Sequence, residues 1–366
     1  MTAPNDVLVY DHPDLSKLKF FLKLFLLIVI LFFCIECLFW SFEKFQGGNH
    51  LKHIYNYSGS FRKELDYTLG YSIIPNTEIN ATLTVIADGE EHLCYKNITY
   101  QSDSKGRRIS VNQDFNSSKH ALFFGCSFMF GVGLPKEHTL ASNFQKHSDN
   151  EFKSYNYAQS GHCASQMLLK LRDPLMFDDI EKKNGCAVYL FINGHLKRSS
   201  GLYSFIKWYP WYPIFSIKEN ELQGPFYWLS GNHPFKYKLK LRQLLDEYSH
   251  TGRYLNKYFL DTCLSNEESI LTNIKIVEES YSLYKQYFPE NPFIVLNWAR
   301  SGAKGELKEF FEKEYSARGI HFFTPEMLPD KEMSFIHHYD DHPSRHETDW
   351  IANQLHEFIK MLPHSK

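Results

Sequence analysis

The chain of 366 residues is long enough for one large domain with extensions, or for two domains. With 43% apolar and 22% charged residues it can bury a sizeable core, which excludes wholesale disorder. Its 40 basic and 42 acidic residues nearly cancel, so the positive footprint of a general nucleic-acid binder is excluded. The seven cysteines are widely spaced without a paired CxxC pattern, which argues against a structural zinc site and against a disulfide-stapled small fold.

An apolar run from Leu24 to Phe42 is the strongest signal near the N-terminus. As a helix it would span about 28 Å, close to the roughly 30 Å hydrocarbon core of a bilayer. Its single charged residue is Glu36, whose cost of about 2.5 to 3.5 kcal/mol is outweighed by the many Leu, Ile, Phe and Val side chains. No small-residue cleavage site follows the run, so we expect an uncleaved, single-pass signal anchor.

The charges beside this run predict its orientation. Lys17, Lys19 and Lys23 precede the anchor, whereas the two charges directly after it cancel, so the positive-inside rule sends the C-terminal part out of the cytoplasm. We therefore expect a membrane protein whose main domain is periplasmic or extracellular. The expected parts are a cytoplasmic tail at 1–16, the transmembrane anchor at 17–43, a linker with a small β-rich extension at 44–118, and the main domain at 119–366.

The β-rich extension and the main domain differ in pattern. In the extension, apolar and polar residues alternate, and Asp88-Gly89 is a hairpin signal. From residue 119 onwards, short apolar strands alternate with helices. This alternation predicts an α/β fold, a three-layer α/β/α sandwich with a parallel sheet, and such folds carry their chemistry at the carboxyl ends of the strands.

Ser127 follows the first apolar strand of the main domain directly, in the stretch GCSFMFG. A helix that begins there would offer free backbone N–H groups to an oxyanion beside the serine. Taken alone, Ser127 could equally cap an ordinary helix. The neighbouring Cys126 would point to the opposite face of the strand and is expected in the core.

A candidate catalytic pair precedes the last helix, where Asp340 and His342 are two residues apart. A carboxylate so placed can orient an imidazole that faces a nucleophile. The same residues are equally typical of an ordinary polar turn. Two further loops follow strands and could each place a hydrogen-bond donor beside Ser127. They are AQSGH, which contains Gly161, and INGH, which contains Asn193 and His195.

These four blocks, in this order, resemble the SGNH/GDSL hydrolase superfamily over about residues 119 to 361. The stretch ITYQSDSKGRRIS also resembles the lead-in of exported members. The resemblance implies that Ser127 is the nucleophile, His342 the general base and Asp340 its partner. It further implies an oxyanion hole made by the backbone of Ser127 and Gly161. His195 falls where the family has its oxyanion asparagine, with Asn193 two residues earlier, so the third donor departs from the family pattern.

The resemblance implies a serine esterase that acts on ester groups, in particular O-acyl or O-acetyl groups, at the outer face of a membrane. An O-acetyltransferase, a lipid esterase with the same triad and an inactive glycan-binding module remain as alternatives. The expected partners are an ester-bearing glycan or lipid and, through the anchor, the membrane, with no nucleic acid. Because no metal-binding motif such as H-E-x-x-H is present, neither a metal nor another cofactor is expected.

Overall fold

The computed structural model describes residues 15–46, 51–111, 116–181, 184–202, 206, 209, 211–228, 235–258 and 264–363. Most of the expected cytoplasmic tail at 1–16 lies outside these residues. Contacts divide the chain into two compact units. One is drawn from Met1–Asn49 and Leu241–Phe259, and the other from His50–Lys240 and Leu260–Lys366.

The first unit is helical. Helix α1 is Leu15–Gln46, and its stretch Lys19–Phe42 is long and apolar enough to cross a membrane. Almost all of its apolar side chains are exposed, as expected of a helix whose surroundings are lipid. The export and the orientation of the chain stay predictions.

The extension forms β1 to β5 in the second unit. A three-stranded antiparallel sheet has the order β1-β4-β5, and β2 pairs with β3. Asp88 and Gly89 both have positive φ, 52° and 86°, as the predicted hairpin between β4 and β5 requires. The bounds are Lys52–Tyr57, Arg62–Asp66, Gly70–Ile73, Glu78–Ala87 and Glu90–Gln101.

A five-stranded parallel sheet with the order β12-β11-β8-β6-β7 forms the centre of the main domain. Its strands, in chain order, are β6 Lys119–Phe124, β7 Phe152–Asn156, β8 Gly185–Phe191, β11 Phe293–Asn297 and β12 His321–Phe323. Alternate residues of β6 face opposite sides of this sheet, with Phe123 in one buried cluster and Leu122 in the other. The predicted parallel α/β sheet is confirmed.

Helices cover both faces of the sheet, which makes the predicted three-layer sandwich. Leu140–His147 (α3) and Arg345–Met361 (α10) share a buried cluster with one face, and the other face is covered by Ala164–Leu171 (α4), Asn266–Tyr287 (α8) and Gly305–Ser316 (α9). The remaining helices are α2 Ser127–Phe130, α5 Gly194–Ser199, α6 Lys236–Tyr248 and α7 His250–Tyr258.

Two local elements differ from the sequence reading. The Trp-, Tyr- and Pro-rich stretch of the sequence at about 203–235 contains a hairpin that the sequence analysis did not predict, formed by β9 Ile214–Lys218 and β10 Glu221–Phe226. The segment around Asp340, for which a polar turn was the alternative interpretation, is a short strand, β14 Asp340–Pro343, which pairs with β13 Phe335–His337. In both places the strands are three to six residues long, too short for their periodicity to distinguish them from a turn.

Candidate active site

Ser127 lies at the sharp turn that joins β6 to α2. Gly125 takes φ of +151°, and a Cβ there would lie 3.1 Å from Leu190 Cβ, so a side chain would be strained and crowded. Ser127 is the first residue of the helix, and Cys126 occupies the N-cap position. The Ser127 backbone N–H is therefore among the free amide groups at the start of α2, as the sequence predicted.

Arg108 holds the other end of this turn. Its guanidinium is fully buried and donates hydrogen bonds to the carbonyl oxygens of Phe130 at 2.7 Å and of Gly131 and Leu134 at 2.5 Å each. It also stacks over the ring of Tyr100, 4.7 Å away. Burial lowers the pKa of Arg108 to about 10, so the group remains charged at neutral pH. A positive charge thus satisfies the carbonyls at the C-terminal end of α2.

Asp340 and His342 form a direct pair, as predicted. The Asp340 Oδ1 atom lies 2.5 Å from His342 Nδ1 and also accepts the His342 backbone N–H at 3.2 Å. Burial would raise the pKa of Asp340, but the hydrogen bonds and the charge of His342 outweigh it and keep the pKa below its ordinary value. Because the Asp340 carboxylate accepts a hydrogen bond from Nδ1–H, the lone pair of the neutral imidazole lies on Nε2, as a general base requires.

Ser127 and His342 are brought to the same edge of the sheet. The ring of Phe128, the residue after Ser127, contacts the His342 ring with 5.8 Å between centroids. Ser127 is partly exposed, and its hydroxyl has no hydrogen-bond partner among the described residues. Because Cys126 holds the N-cap position, Ser127 does not cap this helix, and its hydroxyl is available to a neighbouring group or a substrate.

The loop that contains Gly161 is fastened to the Ser127 turn. The Gln159 N–H donates to the Gly125 carbonyl at 3.2 Å, and the Asn156 side chain donates to the Met129 carbonyl at 3.1 Å. Gly161 adopts the left-handed conformation, with φ of +83°. These contacts place Gly161 at the same edge as Ser127, where the resemblance puts the second oxyanion donor. Asn156 is a positioning residue that the sequence analysis missed.

His195 is the second residue of α5 and has a fully buried side chain. Its Nδ1 lies 2.8 Å from the Tyr189 hydroxyl, and its Nε2 has no hydrogen-bond partner among the described residues. Burial holds the pKa of His195 well below its ordinary value, so the imidazole is neutral. Asn193 is exposed, but its amide donates to the Gly302 carbonyl at 2.9 Å. The identity of the third oxyanion donor stays a prediction.

Arg198 is a charged residue near the site that the sequence analysis missed. Its Nη1 atom lies 3.4 Å from the His162 carbonyl oxygen, next to Gly161 in the chain. Burial lowers the pKa of Arg198, but the neighbouring Cys126 thiol and several phenol groups raise it above its ordinary value. The side chain is therefore a permanent positive charge next to the residue that precedes Ser127.

Arg198→Met is expected to lower kcat for ester hydrolysis by about 10²- to 10³-fold with little change in KM, the range seen when one oxyanion-stabilising group is lost. Arg198→Lys keeps the charge and should lose less. Steady-state kinetics on both variants measure the effect, and Lys197→Met, at the exposed neighbouring position, is the control. A KM effect without a kcat effect would contradict this role.

Glu347 forms a buried ion pair near the site. Its Oε2 atom lies 2.9 Å from Arg300 Nη2, and only 3% of its side chain is exposed. Burial raises the pKa of Glu347 from 4.5 to about 7, although Arg300 opposes the shift. Since the folded state binds this proton more tightly than the unfolded state, the associated stability is present below pH 4.5 and is lost as the pH rises through about 7.

Glu347→Gln is therefore expected to flatten the pH dependence of stability. Between about pH 5 and about pH 8, the free energy of unfolding of the wild type should fall by up to about 3 kcal/mol relative to the variant. Urea unfolding at several pH values measures this difference. Glu357→Gln, at an exposed position of the same helix, is the control. Parallel pH profiles for the wild type and Glu347→Gln would contradict the prediction.

A cavity of about 810 Å³ opens beside His342. The loop of Gly161 contributes Gln159 and Ser160, and strand β1 contributes a row of aromatic side chains, His53, Tyr55 and Tyr57. The rings of Tyr55 and Tyr57 are nearly parallel, with 6.2 Å between centroids and 5° between planes. The β-rich extension thus forms one wall of the candidate active site, a role that the sequence did not indicate.

Two other sequence features have clear positions. In the aromatic segment IKWYPWYP at 206–213, Tyr209 lines the cavity and Tyr212 is fully buried. Residues 207, 208 and 210 lie outside the described residues. Cys126 is fully buried in the core, as expected. Within the part of the chain that the structure describes, no cluster of three or more His, Cys, Asp or Glu side chains could hold a metal ion.

Comparison with known proteins gives structural matches only. No protein-family model matches the chain. No curated protein matches it significantly. A lipolytic protein of the G-D-S-L family from Veillonella parvula is 10% identical, with a TM-score of 0.37, and the match covers 67% of this chain and all of that one.

Two esterases are also among the matching solved structures. An acetyl xylan esterase from Butyrivibrio proteoclasticus is 9% identical, with a TM-score of 0.39 and coverage of 86% of this chain and 84% of its own. A carbohydrate acetylesterase family member from Sinorhizobium meliloti is 10% identical, with a TM-score of 0.35 and coverage of 66% and 98%. The solved structures to which this chain is similar include lipolytic proteins and esterases.

Proposed function

We propose that this protein is a serine hydrolase of ester bonds that uses Ser127, His342 and Asp340. The observation that carries the proposal is the 2.5 Å contact between Asp340 Oδ1 and His342 Nδ1, at the edge of the sheet where Ser127 begins α2. A buried carboxylate, an oriented imidazole and an available hydroxyl beside free helix amides are the parts that acyl transfer needs.

In the proposed reaction, the Ser127 oxygen attacks the carbonyl carbon of an ester while His342 Nε2 takes the hydroxyl proton. The oxyanion of the tetrahedral intermediate accepts hydrogen bonds from the backbone N–H groups of Ser127 and Gly161, with the charge of Arg198 nearby. The bond to the alcohol oxygen then breaks, and His342 returns the proton to that oxygen. Water then attacks the acyl carbon while His342 takes a proton from it. The bond between that carbon and the Ser127 oxygen breaks, and His342 returns the proton to Ser127, which releases the carboxylic acid.

Asp340 determines which nitrogen of His342 carries the proton during the proposed reaction. Its buried carboxylate fixes the Nδ1–H tautomer of His342 and stabilises the imidazolium that forms during attack. Because its pKa is lowered, Asp340 stays ionised over the pH range in which His342 must be neutral. Activity should therefore show no loss from protonation of Asp340 near neutral pH.

An O-acylated or O-acetylated sugar is the proposed substrate. The cavity of about 810 Å³ is large enough for a sugar unit, and the parallel rings of Tyr55 and Tyr57 offer the flat aromatic surface on which sugars stack. The proposed setting is the outer face of a membrane, with α1 as the anchor. The alternative is a lipid esterase, in which the same triad would hydrolyse fatty-acyl esters.

The full chain in detergent tests this function. We expect it to hydrolyse aryl acetates and to release acetate from acetylated oligosaccharides, with long-chain acyl esters cleaved more slowly. Tyr55→Ala should raise KM for acetylated oligosaccharides but not for aryl acetates, and Leu93→Ala, at an exposed position of β5, is the control. Preferential release of fatty acids would favour the lipid esterase, and acetyl transfer to a sugar without net hydrolysis would favour the O-acetyltransferase. A folded protein that does none of these would overturn the proposal.

A further inference from the structure

Glu36, the single charged residue in the apolar run of α1, has specific partners. Its carboxylate accepts hydrogen bonds from the Ser249 hydroxyl at 2.5 Å and from the His250 backbone N–H at 2.7 Å. Ser249 also accepts the Gly252 N–H at 2.8 Å, so it caps the start of α7 while it donates to Glu36. A negative charge at the positive end of a helix is the favourable arrangement.

Aromatic packing continues this contact along both helices. Tyr254, one turn after His250, contacts Phe39 with 4.9 Å between ring centroids and Phe42 with 6.1 Å. Glu36 and Phe39 are three residues apart on α1, and His250 and Tyr254 are four apart on α7, so each pair lies on one face of its helix. Helix α7 therefore packs against α1 through a continuous face.

The second half of α6 is held against α7. The Asn256 side chain donates to the Arg242 carbonyl at 2.8 Å, and the Arg253 guanidinium donates to the Asp246 carbonyl at 3.1 Å. A Cβ at Gly252 would lie 2.5 Å from the Leu245 carbonyl oxygen, so glycine permits this close crossing. We call residues 241–258 the α6–α7 hairpin.

The hairpin presents apolar side chains that nothing in its own unit covers among the described residues. Leu241, Leu244 and Tyr248 are 58%, 47% and 80% exposed. Their spacing of three and four residues puts them on one side of α6. Leu255 of α7 is also exposed, at 38%.

The depth of Glu36 within the apolar span of α1 indicates what surrounds the exposed face of the hairpin. Glu36 lies six residues before the end of the apolar span at Phe42, about 9 Å inside it along the helix axis. A segment that hydrogen-bonds to Glu36 and packs on Phe39 must lie at the same depth, where its surroundings are lipid. An amphipathic helix with leucine and tyrosine on its apolar side is suited to that interface.

We propose that the α6–α7 hairpin is a second membrane-contacting element, which lies in the lipid leaflet beside the C-terminal end of α1 and is docked there by Glu36. The occupant of the face formed by Leu241, Leu244 and Tyr248 is phospholipid. This inference rests on the proposed role of α1 as a membrane anchor, and it assigns Glu36 the task of joining the two elements.

Site-specific photocrosslinking in the full chain tests the inference. p-Benzoylphenylalanine replaces Leu244 or Tyr248, the protein is reconstituted in vesicles of phosphatidylethanolamine and phosphatidylglycerol, and lipid adducts are measured by mass spectrometry. Both positions should give several-fold more lipid adduct than Gln243, an exposed position on another side of α6. In the Leu244 crosslinking background, Glu36→Leu should lower the adduct several-fold, and Glu36→Gln, which keeps an acceptor oxygen, should retain most of it.

Leu27, in the middle of α1, separates the two proposals. Lipid adducts at position 27 but none above the Gln243 level at 244 and 248 would overturn the hairpin inference and leave the anchor intact. No adduct at 27 would overturn the anchor and the inference with it. Adducts at 244 or 248 to a second copy of the chain, in place of lipid, would show that the face is a protein interface and would also overturn the inference.

Discussion

Ser127→Ala is expected to reduce kcat for aryl-acetate hydrolysis by about 10⁴- to 10⁶-fold with little effect on KM, because the nucleophile is lost while the cavity remains. His342→Ala should cause a loss of similar size. The double variant should be hardly worse than either single variant, since the two residues act as one unit. Steady-state kinetics on purified full-length variants, with folding checked by circular dichroism, measure these effects.

Cys126→Ala is the matched control for the nucleophile. Cys126 is adjacent to Ser127 but fully buried in the core, so this substitution should change kcat only a few-fold. A large loss in Cys126→Ala together with retained activity in Ser127→Ala would assign the nucleophile to the thiol and contradict the proposed triad.

Arg108→Met is expected to lower the free energy of unfolding by about 3 to 5 kcal/mol, the cost of breaking a buried charged network. The substitution leaves three carbonyl groups at the end of α2 without their donors, those of Phe130, Gly131 and Leu134. Arg108→Lys should recover only part of the loss, because an ammonium group cannot span the three acceptors and stack on Tyr100 as a planar guanidinium does.

Urea unfolding of the full chain in detergent measures this prediction. The control is Arg172→Met, which removes a half-exposed ion pair with Glu279 and should cost less than about 1 kcal/mol. Equal destabilisation by the two substitutions would show that Arg108 is not the residue that holds the Ser127 turn. If Arg108→Met is stable enough to assay, its kcat should also fall, since α2 carries Ser127.

The sheet and its edges could be predicted because strong local patterns specify them. Each of the predicted strands is a short apolar run, and the positive φ angles at Asp88 and Gly89 follow from residue type alone. The short strand pairs, such as β9 with β10, could not be predicted because a few residues carry too little periodicity. The contribution of β1 to the cavity wall depends on tertiary packing, which local patterns do not encode.

The triad candidates could be predicted because they follow strands or precede a helix, where parallel sheets expose functional groups. The third oxyanion donor stays a prediction. The contact of His195 Nδ1 with the Tyr189 hydroxyl arises in the fold and could not be predicted from the sequence. The positions of Arg108 and Arg198 could not be predicted either, because the carbonyl groups to which they donate hydrogen bonds come from distant segments of the chain. From the sequence, Glu36 could be assigned only an unfavourable free energy of membrane insertion. Its hydrogen-bond partners Ser249 and His250 are distant in the sequence and could not be predicted.

Reaction of the full chain with a fluorophosphonate, followed by peptide mass spectrometry, tests the central claim most directly. The reagent phosphonylates a serine only if a base activates its hydroxyl and an oxyanion site accepts the phosphoryl oxygen. The proposed triad predicts one adduct, on Ser127, that is absent in His342→Ala. An unlabelled Ser127 in folded wild type, or an adduct that persists in His342→Ala, would contradict the assignment of Ser127, His342 and Asp340 as a catalytic unit.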